Sequence, residues 1–160
     1  MPTKTQKIAR AGVIAALYAA LSFVFAATSF GITIPFLGVL QFRPAEALTL
    51  LPILFPEAIP GIFVGCVIAN SVSPLGIVDV VCGSMVSLLA AWLTWYFRNS
   101  FLAYLSPIIL NSLLVSLYLY SFFKIPYWLT AISIGVSETV VIFLLGYPLI
   151  KYLGKHLAEQ

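Results

Sequence analysis

Residues 43–79 read RPAEALTLLPILFPEAIPGIFVGCVIANSVSPLGIVD, and this stretch decides the fold. It is strongly apolar, yet it holds Arg43, Glu46, Glu57 and Asp79, together with Asn70 and prolines at 44, 52, 56, 60 and 74. A simple membrane anchor needs none of these groups. Proline-broken helices with polar residues at their ends are tolerated in lipid only where the backbone is enclosed by protein or lines a cavity. The stretch therefore points to a small polytopic membrane protein with a binding site.

Composition supports that class. Of 160 residues, 62% are hydrophobic and 8% charged, and the mean hydropathy is +1.09. Soluble domains carry about 25% charged residues, so a soluble core is excluded. The chain reads as one integral membrane domain, 1–160, without room for a nucleotide-binding or soluble catalytic domain. The net charge of +3 sits at the ends of apolar runs, which is a topology signal and not a nucleic-acid surface. Cys66 and Cys82 lie inside apolar segments without metal or redox spacing and read as packing residues.

Working outward, an apolar run from Ile8 to Thr28 follows Lys4, Lys7 and Arg10; at about 21 residues it can cross the bilayer. A cleaved signal peptide is the alternative, but the run is longer than a usual h-region and further spans follow. On this helix Ala11, Ala15 and Ala19 recur every fourth residue, with Gly12, Ala16 and Ala20 beside them. Small residues at that spacing allow close helix approach in lipid, either within the chain or onto a partner subunit. Residues 29–42 contain two glycines and a proline with β-branched Ile32, Thr33 and Ile34, the pattern of an ordered loop with a short extended piece.

Two short helices are expected at about 44–55 and 58–72, with Pro44 in the favoured first position and a turn at Pro56-Glu57. Longer spans are expected at about 77–97, 101–123 and 127–153. With six spans and the N-terminus inside, Lys4, Lys7, Arg10, Arg98, Lys151 and Lys155 face the cytoplasm, leaving only Arg43 and Lys124 outside. A five-span arrangement splits the basic residues evenly, so the positive-inside rule favours six. Glu57, at the inner turn, is expected to be solvated.

An ionisable group within a span costs about 2.5–3.5 kcal/mol on insertion scales, so each is a functional candidate by default. Glu138, roughly eleven residues into the last span, has no basic residue within a turn. Asn111 lies at similar depth in the fifth span, with Tyr118 two turns on along the same face. Asn70 closes the third helix, Asp79 opens the fourth, and Arg43 and Glu46 open the second, where they could simply pair with each other. Asp79 could serve its own helix dipole, and the asparagines could be interhelical glue. Tyr127 and Trp128 belong either to the outer aromatic belt or to a stacking platform for a planar ligand. Nucleophile, Walker and metal-binding motifs are absent from the sequence, and His156 stands in the polar tail.

The segments FRPAEALTLLP, IPGIFVGCVIAN and IVDVVCGSMVSLLAAWLT resemble QueT-type membrane proteins, the substrate-binding (S) components of energy-coupling factor transporters assigned to uptake of queuosine precursors. The motifs cover roughly residues 8–97; the later helices agree in hydropathy and in an acidic residue at Glu138. The resemblance implies an all-α bundle of six transmembrane helices that captures a cyano- or aminomethyl-7-deazaguanine from outside. It implies docking on a membrane scaffold (T) subunit driven by two ATPase subunits, with Ala11, Ala15 and Ala19 as the docking motif, and no cofactor. The candidate ligand shell, read from the polar groups within the spans, is Glu138, Asn70, Asp79, Glu46, Arg43 and Asn111, with Tyr127 or Trp128 stacking on the base. An S component for another heterocycle, a small proton-coupled transporter using Glu138, and an intramembrane enzyme are the competing readings.

Overall fold

The computed structural model describes residues 3–26, 32–34, 38–40 and 42–159. The chain is an all-α membrane protein. Helix α1 (Lys4–Val24) is followed by strands β1 (Ile32–Ile34) and β2 (Gly38–Leu40) and by the short helices α2 (Pro44–Ile53) and α3 (Ala58–Asn70). Then come α4 (Asp79–Tyr96), α5 (Leu102–Phe123) and α6 (Tyr127–Leu157). Four of these helices, α1, α4, α5 and α6, are long and apolar enough to cross a membrane, while α2 and α3 are shorter.

Helix α1 begins before its apolar run. Thr3 accepts a hydrogen bond from the Gln6 amide while the Gln6 side chain accepts from the Thr3 amide, a capping box that satisfies two otherwise unpaired donors. At the far end the helix stops at Val24; the expected boundary at Thr28 lies outside the described residues. The two strands pair antiparallel with Ile32 opposite Leu40 and Ile34 opposite Gly38. The second strand lies against the first half of α6.

The second helix departs most from expectation. It is wound as a 3₁₀ helix over all ten residues, where a run of more than three or four is uncommon. Pro52 lacks an N–H to donate, and the Thr49 hydroxyl donates to the Glu46 carbonyl, so two of its ladder positions are altered. The tighter winding rises about 2.0 Å per residue instead of 1.5 Å, so the segment reaches further across the bundle. It also eclipses residues three apart, setting Arg43, Glu46 and Thr49 in one row. Every residue from Pro44 to Pro52 is buried. This short helix is the central pillar around which the others stand, and its Ala45, Leu48, Leu50 and Leu51 join Ile14, Ile62, Ile142 and Ile150 in the larger apolar core.

The packing of α1 on α3 is close enough to bring backbone against backbone. A Cβ at Gly61 would stand 2.6 Å from the Ala11 carbonyl oxygen, and one at Gly65 2.7 Å from that of Ala15. Helices α4, α5 and α6 each contain one π-turn, at Asp79–Gly83, Asn111–Val115 and Ile142–Gly146. The first two fall at site residues, where such turns are frequently found. Among the described residues, two turns use positive φ, at Gly76 and at Lys124, which ends α5.

Candidate functional site

At one end of the bundle, where α2 and α4 begin and α3 ends, the buried polar side chains converge. Arg43, Glu46, Asn70, Asp79, Asn111 and Glu138 are all buried. Arg43 Nη2 donates to Asn70 Oδ1 at 3.0 Å, and Asn70 Nδ2 donates to the Asp79 carbonyl at 3.0 Å. Asp79 Oδ1 accepts from the Tyr118 hydroxyl at 2.6 Å. Glu46 Oε1 accepts from the Tyr18 hydroxyl at 2.5 Å and lies 3.9 Å from Arg43 Nε, too far for a hydrogen bond. Across the bundle, Asn111 Nδ2 donates to Glu138 Oε1 at 3.1 Å. The i, i+3 pairing of Arg43 with Glu46 is thus one loose contact in a wider network.

The local folding explains these positions. The 3₁₀ row projects Arg43 and Glu46 together, and a π-turn sets Asp79 beside the end of α3. Gly83 makes room for the arrangement: a Cβ there would stand 2.8 Å from both Asn70 Nδ2 and Asp79 Oδ1. Pairing leaves certain atoms over. Arg43 Nε, Glu46 Oε2 and Glu138 Oε2 are buried without a hydrogen-bond partner. An unsatisfied buried polar atom costs about 1–3 kcal/mol, and more when charged. With one guanidinium facing three carboxylates, the site suits a donor-rich or cationic ligand. Among the described residues no group of three or more His, Cys, Asp or Glu is placed to hold a metal ion.

Several expected residues fall elsewhere. Trp128 is 72% exposed, with its indole edge-on to the Tyr127 ring at 4.9 Å; it is outside the buried network, while Tyr127 is half-buried. Glu57 is not solvated: its side chain is 11% exposed and pairs with Arg10 at 3.2 Å, and Arg10 also lies over the Phe55 ring. The ridge of Ala11, Ala15 and Ala19 is turned inward. Ala15 and Ala19 are buried, and Ala11 and Ala15 meet the glycines of α3. That ridge is the chain's own packing surface, because only small residues permit such an approach. The parallel stripe of Gly12, Ala16 and Ala20 is exposed, beside a shallow groove of about 240 Å³ between α1 and α3.

Sequence reasoning missed Tyr18, the fully buried α1 residue that bonds Glu46. It also took Cys66 for simple packing, although the Cys66 sulfur lies within reach of Tyr18, Asn70 and Ser87. A signal existed for Tyr18: with Ile14, Ala15 and Ser22 it continues the inward face of α1 by helical spacing.

Apolar helices around buried charged residues define a membrane-embedded protein. The QueT transporter family model matches residues 8–155. The chain belongs to the QueT transporter family. No curated protein and no solved structure matches it.

Proposed function

We propose that this chain is the substrate-binding component of an energy-coupling factor importer, and that it captures a queuosine precursor, a cyano- or aminomethyl-substituted 7-deazaguanine. The observation that carries this reading is the burial of Arg43, Glu46, Asp79 and Glu138 at one end of an apolar bundle. A planar, donor-rich base is recognised well by carboxylates, since charge-assisted hydrogen bonds are about twice as strong as neutral ones. An aminomethyl group brings a cation, which the excess of carboxylates favours over a cyano group; Asp79, held by Tyr118, is the acidic side chain best set to meet it. Tyr127 is the candidate stacking residue. Asn70 and Asn111 orient the charged groups through their own hydrogen bonds.

In this reading the site opens outward, and both termini are cytoplasmic in the plasma membrane. A T scaffold subunit docks on the exposed stripe of Gly12, Ala16 and Ala20, and two partner ATPases supply the energy. The test is to purify the chain from cells supplied with precursor and identify the bound ligand by mass spectrometry, then titrate the aminomethyl and cyano bases against the empty protein. Saturable binding of either supports the proposal; a copurified ligand of unrelated chemistry overturns it.

A further inference from the structure

We propose that the bundle holds one anionic phospholipid at the end where α1 begins and α6 finishes, its acyl chain in a trough between α1, α2 and α6 and its phosphate at Arg10 and Lys7. Phe55, beside Arg10, lies a full α2 length from Arg43, so this site is separate from the substrate reading above. The trough is a cavity of about 340 Å³, walled by Ala9, Val13 and Ile14 of α1, Leu51 of α2, Phe55 of the following turn and Leu153 of α6. Apart from Arg10 the walls are apolar, and Val13 on the rim is 59% exposed. The bilayer core has no water to offer such a trough, so hydrocarbon fills it.

Toward the termini the walls change character. Arg10 and Phe55 also line the adjoining groove of about 540 Å³, where Lys7 and Glu57 join them. Along two turns of α1 the surface passes from hydrocarbon to charge, the same division a phospholipid has along its own length. Arg10 is held on two sides. Its Nη1 donates to Glu57 Oε1 at 3.2 Å, and its guanidinium lies 4.9 Å over the Phe55 ring. A side chain that only snorkels to the interface needs neither hold. The bond to Glu57 uses one of the five N–H donors of a guanidinium, and the Arg10 side chain stays 44% exposed, which leaves an outward edge for a phosphate. Planar forks of this kind match phosphate oxygens two at a time. Lys7 and Arg10 face the single carboxylate of Glu57, and the surplus positive charge equals the one negative charge of a phosphodiester. A zwitterionic head group brings a cation of its own and gains less. Basic pockets between transmembrane helices at the cytoplasmic face are suited to anionic head groups, and in the orientation proposed above this end faces the cytoplasm. The lipid bridges the first helix and the last, so its binding stabilises the folded bundle.

The test is native mass spectrometry and thermal unfolding of the purified full-length chain in detergent, titrated with dioleoylphosphatidylglycerol and dioleoylphosphatidylcholine. The glycerol lipid is expected to be retained about fivefold more strongly, the scale of one basic side chain at an anionic surface, and to raise the unfolding midpoint. Arg10→Gln removes the preference. Lys7→Gln, which leaves the ion pair intact, reduces it and decides the matter if Arg10→Gln does not fold. Glu57→Gln releases the guanidinium and increases the preference, whereas Arg98→Gln, in the turn between α4 and α5, leaves it unchanged. The sign at Glu57 separates a lipid site from an ion pair that serves the fold alone, since the latter loses as much from either partner. Val13→Trp fills the trough and lowers retention of both lipids. Equal retention of the two lipids by the wild type overturns the proposal, as does a Glu57→Gln protein that loses the preference alongside Arg10→Gln. Unchanged retention by Val13→Trp overturns the placement of the chain in the trough.

Discussion

Asn70 and Gly83 show how the site is held from behind. The Asn70 amide faces its own chain on both sides, accepting from Arg43 and donating to the Asp79 carbonyl and the Cys66 sulfur. Its role is to fix the Arg43 guanidinium and the first turn of α4. Gly83 allows that arrangement because a methyl group at its position would press on Asn70 Nδ2 and Asp79 Oδ1 together, both at 2.8 Å. Gly83→Ala is therefore expected to cost about 1–3 kcal/mol of stability through overpacking, seen as an earlier thermal unfolding in detergent, and to weaken ligand binding about tenfold, about 1.4 kcal/mol. An unchanged midpoint with unchanged affinity would show that both side chains yield freely. At this scale the sequence was legible where a charge stood alone in apolar surroundings, as at Glu138, because insertion cost makes such a residue conspicuous. Tyr18 and Cys66 gave no such signal. Both residue types are ordinary inside a bundle, and only the contact with Glu46 or Asn70 reveals their part. Trp128 was ambiguous between belt and platform, since both roles ask for the same amphipathic ring.

Among the helices, the α1–α3 pair and the 3₁₀ pillar carry different lessons. The four-residue spacing of small residues on α1 was readable as a close helix contact, but not its destination. Two adjacent stripes have the same spacing, and only the glycines of α3 decide which one turns inward. Because a Cβ at Gly65 would meet the Ala15 carbonyl and the Tyr18 Cβ at 2.7 and 2.8 Å, the backbone itself must move to admit one. Gly65→Ala is expected to destabilise the bundle by about 1–3 kcal/mol, measured as a lower unfolding midpoint, whereas Ala16→Ser on the exposed stripe leaves the midpoint unchanged. If the two variants unfold alike, the two stripes are not distinguished in the folded protein. The 3₁₀ winding of α2 was not legible. Prolines at 44 and 52 announce interruptions, and a periodicity read at 3.6 residues per turn cannot separate a broken α-helix from a tighter helix in so short an apolar run.

The whole molecule is organised by charge. Lys7, Arg10 and Glu57 line the same groove of about 540 Å³ as Leu157, so the beginning of α1, the α2–α3 turn and the end of α6 meet at one end of the bundle. Arg43 and Asp79 mark the opposite end. With the termini placed inside, single cysteines introduced at Lys4, Arg98 and Lys155 should react with a membrane-impermeant reagent only in inverted vesicles, and one at Lys124 only in intact cells. Labelling of Lys155→Cys from outside would reverse the site's orientation and sink the import proposal. Membrane class and helix order were legible because hydropathy and basic-residue placement are dictated by the bilayer itself. The network between helices was not, since it depends on which faces meet.

The burial of α2 has a consequence for how the protein is made. Ten residues headed by an arginine and a glutamate, with neighbours on every side, do not form a span that lipid would accept alone. At the moment of synthesis this segment has only α1 beside it, and Asn70, the partner of Arg43 at its head, has not yet emerged. Its stable placement must await α3 and then α6. Because α6 also packs on the pillar, integration of this chain ends, instead of beginning, at its centre.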